Sequence, residues 1–270
     1  MYNIREMQSV QLDIFKQVYK VCVENNIPIF LAYGTAIGAV RHKGFIPWDD
    51  DIDIFVFQED RKRFQEACIK GLPSNYFYQS VDTDANYRLA IDRIRNSNTT
   101  LVEADVSESN INHGIFIDVY PLFKCAEKKT DYFKQRGSRF LYRLFLYNEA
   151  PKNKSPLVKI IASLILKLTP SFVKKQVLCK SSEYVQKKGA TKYLSVFYGD
   201  DESVKYASKW FSASTLVPFE DMEAPLPCGY EKILELQYGD YMELPPEEKR
   251  VVHHDYVCVD CHASYIDRGF

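Results

Sequence analysis

No stretch of these 270 residues is both long and apolar enough to cross a bilayer as an independent helix. The opening residues, MYNIREMQSVQLDIF, carry charges where a secretory signal would carry an apolar core, so no export is expected. Neither an internal repeat nor a low-complexity linker is present. Net charge is nearly absent too, −1 from 35 basic and 36 acidic side chains, and no nucleic-acid partner is expected from it. Seven scattered cysteines, an odd number, fit a reducing compartment rather than a disulfide framework. These absences predict a cytoplasmic protein of ordinary globular composition, 46% hydrophobic and 26% charged.

The near-zero total conceals an asymmetry. Between Lys124 and Lys180 there are 14 Lys and Arg against Glu127, Asp131 and Glu149, a net of +11, so the remainder carries −12. The periodicity predicts an amphipathic helix over 6–24, with Val10, Ile14, Val18 and Val21 at helical spacing and Asn25-Asn26 ending it. Strands are expected at 27–33, 51–57, 87–95 and 114–122, and helices after Gly34 and over 59–71. The chain reads as a single catalytic domain, 1–270. Residues 1–125 form its α/β (α+β) core, 126–190 a basic helical insertion, and 191–270 a C-terminal segment that completes the domain.

What is abundant is aspartate, in one place. GFIPWDDDIDIFVF (44–57) puts Asp49, Asp50, Asp51 and Asp53 at the mouth of a segment that otherwise reads as strand. Residues two apart on a strand share a face, so Asp51 and Asp53 point together while Ile52, Ile54 and Val56 go to the core. Two such carboxylates are costly unless a cation lies between them, and hard oxygen ligands favour Mg²⁺ or Mn²⁺. A solvated acidic turn is the plain alternative and would suit Asp49 and Asp50. A calcium loop fails at its sixth position, which is Ile54 rather than glycine.

Two further features belong with the run. Gly34-Thr35 lies between a strand and a short helix, where backbone N–H groups attract phosphate. Asp118, in GIFIDVYPL, is a carboxylate within an apolar strand, and metal ligation would make its burial tolerable.

Gly-Thr, then D-x-D on a strand, then an acid on a later strand resembles the nucleotidyltransferase fold typified by DNA polymerase beta, a mixed sheet flanked by helices. LAYGTAIGAVRHKGFIPWDDDIDIFV (31–56) is similar almost throughout to the signature of the LicD phosphotransferases, which include the fukutin-related proteins. The matching positions are Gly34, Thr35, Gly38, Arg41, His42, Gly44, Pro47, Trp48 and the aspartates. RIRNSNTT (93–100), IDVYPL (117–122) and residues 218–254 resemble its other segments, while Phe123 stands where the family would have a second acid.

The resemblance implies transfer of a phospho-alcohol, such as phosphocholine or ribitol phosphate, from a CDP-alcohol donor to a hydroxyl of a glycan or lipid-linked glycan, with release of CMP. Carried over, Asp51, Asp53 and Asp118 are the metal ligands and the catalytic set, with Asp118 as proton acceptor. Gly34, Thr35, Arg41, His42, Trp48, Arg93 and Arg95 are the donor and phosphate-binding set. The rivals are a nucleotidyltransferase acting on an NTP and a non-catalytic protein that keeps the fold. Trp48 and the 19 tyrosines offer rings for a quaternary ammonium. Leu157, Ile161, Leu164 and Leu168 make an apolar stripe in the insertion, with Lys159 and Lys167 off it. It reads either as a packed helix or as peripheral contact of 124–180 with the inner face of an anionic membrane. His253, His254, Cys258, Cys261 and His262 contain a haem-attachment pattern and metal-ligand types, but finger spacing is absent and no role is assigned.

Overall fold

The first helix, α1 (Ile4–Glu24), is capped by the Asn3 side chain, which accepts from the Arg5 N–H at 3.0 Å, and is ended by Asn25, whose amide donates to the Val21 carbonyl at 2.8 Å. Met7, Ile14, Phe15, Val18 and Val21 line its buried face, together with two polar residues, Gln8 and Gln11. The computed structural model describes residues 2–150, 155–174, 176–177, 191–196, 204–252 and 254–270. They belong to two units, one of Met1–Tyr87, Ile91–Pro121 and Lys209–Phe270, the other of Arg88–Ala90 and Leu122–Ser208.

In the first unit α1 leads to β1 (Ile29–Leu31), the short helix α2 (Tyr33–Ile37) and a π-helical turn, Gly38–His42. Strand β2 (Asp53–Phe57), helix α3 (Arg61–Gly71), β3 (Tyr76–Gln79), β4 (Asp92–Asn96), β5 (Thr100–Glu103) and β6 (Ile115–Lys124) follow. The mixed sheet runs β1-β2-β6-β4-β3, so the strands carrying Asp53 and Asp118 are neighbours at its centre. The Asp118 N–H donates to the Ile52 carbonyl at 2.8 Å, and Arg93 on β4 stands opposite Asp118 on β6. Ile52, Ile54 and Val56 join the α1 face, Ile94 and Ile117 in one core, as their alternation predicts. Phe55 is buried as well, against Tyr33 and Phe211. Both faces of β2 are therefore covered, which accounts for its unbroken apolar run.

The second unit begins with Leu122–Lys124, the end of β6. It continues through α4 (Lys129–Tyr147) and α5 (Pro156–Leu168) to β7 (Tyr193–Val196) and β8 (Tyr206–Ala207). Strand β7 pairs with β6 and β8. Leu144 and Phe145 of α4 pack with Ala162 of α5. Part of the insertion, 151–154, 175 and 178–190, lies outside the described residues.

The chain then returns to the first unit with the hairpin β9 (Ser214–Phe219) and β10 (Met222–Pro227), α6 (Tyr230–Tyr238) and β11 (Tyr256–Asp260), which pairs with β5. The strand expected over 87–95 is only 92–96, and the 51–57 strand starts at Asp53, leaving Asp51 just before it. Among the described residues no helix is long and apolar enough to cross a membrane.

Candidate active site

The aspartate run is held in place from three directions. From α1, Gln8 donates to the carbonyls of Asp49 at 2.7 Å and Ile46 at 3.3 Å, and Gln11 donates to that of Asp50 at 2.8 Å. From α2, the Thr35 hydroxyl accepts from the Asp53 N–H at 2.9 Å. From the C-terminal segment, His254 Nδ1 lies 3.1 Å from both carboxylate oxygens of Asp50, and the Tyr256 hydroxyl donates to that carboxylate at 2.8 Å.

Glycines let the segments close up. A Cβ on Gly34 would stand 2.9 Å from Asp49 Oδ2, and one on Gly38 would stand 2.5 Å from the Gly44 carbonyl. The π turn thus requires bare backbone at Gly38, while at Gly34 a side chain would displace the Asp49 carboxylate.

The carboxylates differ in how they are compensated. Burial raises the Asp50 carboxyl, but the bonds from His254 and Tyr256 outweigh it and hold the group below its ordinary range. The same pairing pushes His254 up to about 9, a histidine that stays charged against a buried carboxylate. Asp51 and Asp53 are pushed well above the ordinary range, first by burial, then Asp51 by Asp49 and Asp118, and Asp53 by Asp51 and Asp118. Burial likewise lifts Asp49 to about 7. Asp53 Oδ1 and Asp49 Oδ2 are buried without a hydrogen-bond partner, the condition a cation would relieve.

Among the described residues, the group of possible ligands whose atoms lie within 4.8 Å of one another is Asp50, Asp51 and His254. That differs from the expected trio, of which only Asp51 is a member. On the β6 side the Arg93 Nε donates to Asp118 Oδ1 at 2.7 Å, and its other nitrogens grip the Glu103 carboxylate. Asp118 is raised by burial, with Arg93 opposing, while Arg93 holds Glu103 down to about 2. The site can therefore hold a metal ion at Asp51 and the unpartnered oxygen of Asp53, with Asp50 engaged by His254 and Asp118 Oδ1 by Arg93.

The expected phosphate-binding residues are divided: Thr35 bonds Asp53 and Arg93 bonds Asp118 at the aspartates, whereas the others have different partners. Arg95 is completely buried, donating to Gln79 at 2.5 Å and to the Gly114 carbonyl at 2.7 Å, so the expectation that it forks onto phosphate is corrected: it supports β4 from behind. Arg41 donates to the carbonyls of Tyr241 at 2.8 Å and Glu243 at 3.1 Å and to His42 Nε2 at 2.9 Å. His42 meets Trp48 edge-on, and Arg250 lies over the Trp48 ring at 5.7 Å. Burial and the nearby Arg250 both lower Arg41. Two guanidinium groups brought together beside an indole form a cationic corner suited to an anion.

Several site residues are missed by sequence reasoning. Asp49 and Asp50 do not make a solvated turn: Asp50 is 1% exposed. Gln11 had a signal, because it sits between Met7 and Ile14 on the buried stripe of α1. Glu103, Arg250 and Tyr256 had none, since strand pairing and loop return alone bring them in. Of the C-terminal histidines and cysteines, His262 pairs with Glu6 at 2.6 Å, away from His254, and His253 lies outside the described residues.

Residues 26–147 match the family described as LicD/FKTN/FKRP, nucleotidyltransferase domain. The chain is 30% identical over 264 residues to the lipopolysaccharide cholinephosphotransferase LicD of Haemophilus influenzae, covering 93% of this chain and 96% of that protein. Shorter matches of 66 residues, 41% and 38% identical, join it to uncharacterized proteins of Rickettsia typhi and Rickettsia prowazekii. They span 24% of this chain and 21% and 25% of those proteins. The chain belongs to the LicD family.

Proposed function

We propose that this LicD-like phosphotransferase moves phosphocholine from CDP-choline to a hydroxyl of a lipopolysaccharide or related glycan and releases CMP. The observation that carries the reading is the pair of buried, unpartnered oxygens on Asp53 and Asp49 within the family's signature. That the Haemophilus influenzae relative is a cholinephosphotransferase supports choline as the alcohol.

Asp51, Asp53 and Asp118 are the residues we assign to Mg²⁺ or Mn²⁺. When bound, the ion supplies charge neutralisation for the phosphates and for the leaving CMP. The acceptor oxygen attacks the phosphorus that bears choline, the bond from that phosphorus to the CMP oxygen breaks, and the hydroxyl proton passes to Asp118. Arg93 fixes the Asp118 carboxylate for that transfer through the 2.7 Å bond to Oδ1. Gly34, with the backbone at the start of α2, and the Arg41, His42, Trp48 and Arg250 corner receive the donor's diphosphate and base. Tyr33 and Tyr120, edge-on with ring centroids 5.0 Å apart, are the aromatic surface for the quaternary ammonium. Tyr120 stands close enough to Asp53, Asp118 and Asp51 for their charge to raise its hydroxyl, after burial.

The test is product analysis by phosphorus NMR or mass spectrometry with Mg²⁺ present. CDP-choline and a glycan acceptor should give CMP and a phosphodiester-linked choline. Pyrophosphate from CTP or ATP, without CMP from any CDP-alcohol, would establish the nucleotidyltransferase alternative instead.

A further inference from the structure

Helix α5, PLVKIIASLILKL, is apolar on nearly every side, yet among the described residues it has only one fully buried member, Ala162. Ile165 and Leu166 pack with Ala162 toward Leu141, Leu144 and Phe145 of α4. On the other side Leu157, Ile160, Ile161, Leu164 and Leu168 are 47% to 75% exposed. Their spacing of 3, 1, 3 and 4 residues puts all five on one face. A short way beyond the helix Phe172 is 68% exposed as well. Monomeric proteins rarely leave so continuous an apolar strip in water.

Charge decides what covers it. The segment 124–180 carries a net +11, and Lys159 and Lys167 of α5 are themselves exposed. A second copy seated on this face would bring the same positive segment against it, at a repulsive cost. A bilayer with anionic headgroups matches both features, accepting the aliphatic side chains at its boundary and the lysines at its surface. The 13-residue helix is too short to span hydrocarbon, so it lies along the surface.

We propose that α5 docks the enzyme on an anionic membrane surface, aliphatic face down. This goes beyond the transfer chemistry and does not depend on it, because binding is read without turnover.

The experiment is co-sedimentation of the full chain with phosphatidylcholine vesicles, with or without roughly 30% phosphatidylglycerol. Binding is expected to the anionic vesicles, to fall steeply between ~0.1 M and ~0.5 M salt, and to be weak on neutral ones. The double variants Leu164→Gln/Leu168→Gln and Lys159→Glu/Lys167→Glu should each lose about tenfold or more in partitioning. Both should keep the wild-type circular dichroism spectrum and a cooperative thermal unfolding transition, which shows that they are folded. Unchanged vesicle binding in both folded variants would overturn the proposal. So would a wild-type dimer, seen by size exclusion, that the leucine variant converts to monomer.

Discussion

Arg93 and Asp118 stand directly opposite each other across the β4–β6 pairing, and the Arg93 Nε donates to Asp118 Oδ1 at 2.7 Å. The same guanidinium bonds the Glu103 carboxylate through both terminal nitrogens and lies 3.7 Å from the centre of the Phe116 ring. An arginine so fully engaged is a clamp on a carboxylate, and it separates two kinds of negative charge at the site. Glu103 and Asp50 are matched by cations, whereas Asp51 and Asp53 stand against one another.

The unmatched pair gives the first prediction. Asp51→Asn or Asp53→Asn should lower turnover at least about a hundredfold and raise the melting temperature of the chelator-treated protein by on the order of 2–4 °C. Thermal unfolding in EDTA, set beside an activity assay, checks both. If both variants instead melt clearly lower without metal, these carboxylates hold the fold together rather than an ion.

Glu103 gives a pH dependence. Its carboxyl lies at about 2 in the folded protein against an ordinary value of 4.5, so its contribution is complete above pH 4.5 and is lost as pH falls toward 2. Glu103→Gln should therefore be less stable than wild type near neutrality, by on the order of 3 kcal/mol. The gap should narrow as pH drops below 4.5. Urea unfolding of the two proteins across that range is the measurement. A gap that stays constant would mean that the Arg93–Glu103 pair contributes nothing through its charge.

Arg95 offers a contrast between support and substrate binding. Lysine cannot donate to Gln79 and to the Gly114 carbonyl together, and each buried acceptor left unpaired costs about 1–3 kcal/mol. Arg95→Lys should lower stability by roughly that amount while changing the KM for the donor less than about twofold. A rise in KM at full stability would return Arg95 to the phosphate-binding set.

The aromatic pair predicts selectivity. Tyr120→Leu should raise the KM for a choline-bearing donor by about tenfold and leave that for a polyol-bearing donor nearly unchanged. Steady-state kinetics with the two CDP-alcohols decide it. An equal rise for both would assign Tyr120 to packing against Tyr33 rather than to recognition of the cation.

Much of the central sheet was legible because its cause is local. The alternation of Ile52, Ile54 and Val56 and the apolar run around Asp118 belong to the strands themselves. The helical spacing of Ile14, Val18 and Val21 likewise belongs to α1. The supports were not legible. Glu103, 10 residues further on, meets Arg93 across a turn that carries no pattern of its own, and Asp50 is held by His254 and Tyr256, more than 200 residues away. Arg95 was misread for a related reason. Arginine on a strand near a carboxylate suits phosphate binding and burial equally, and only the closure over Gln79 and Gly114 separates the two.

His254 follows Asp50 by 204 residues and Tyr256 follows it by 206, yet these two side chains hold its buried carboxylate. A growing polypeptide on the ribosome therefore presents the aspartate run long before its counter-charge has been translated. Until residue 256 emerges, Asp50 must remain hydrated or protonated, and the acidic cluster beside it stays unfinished. Chains that stop before residue 254 should accordingly be inert and conspicuous to proteases, because the Asp50 carboxylate then lacks both of these partners.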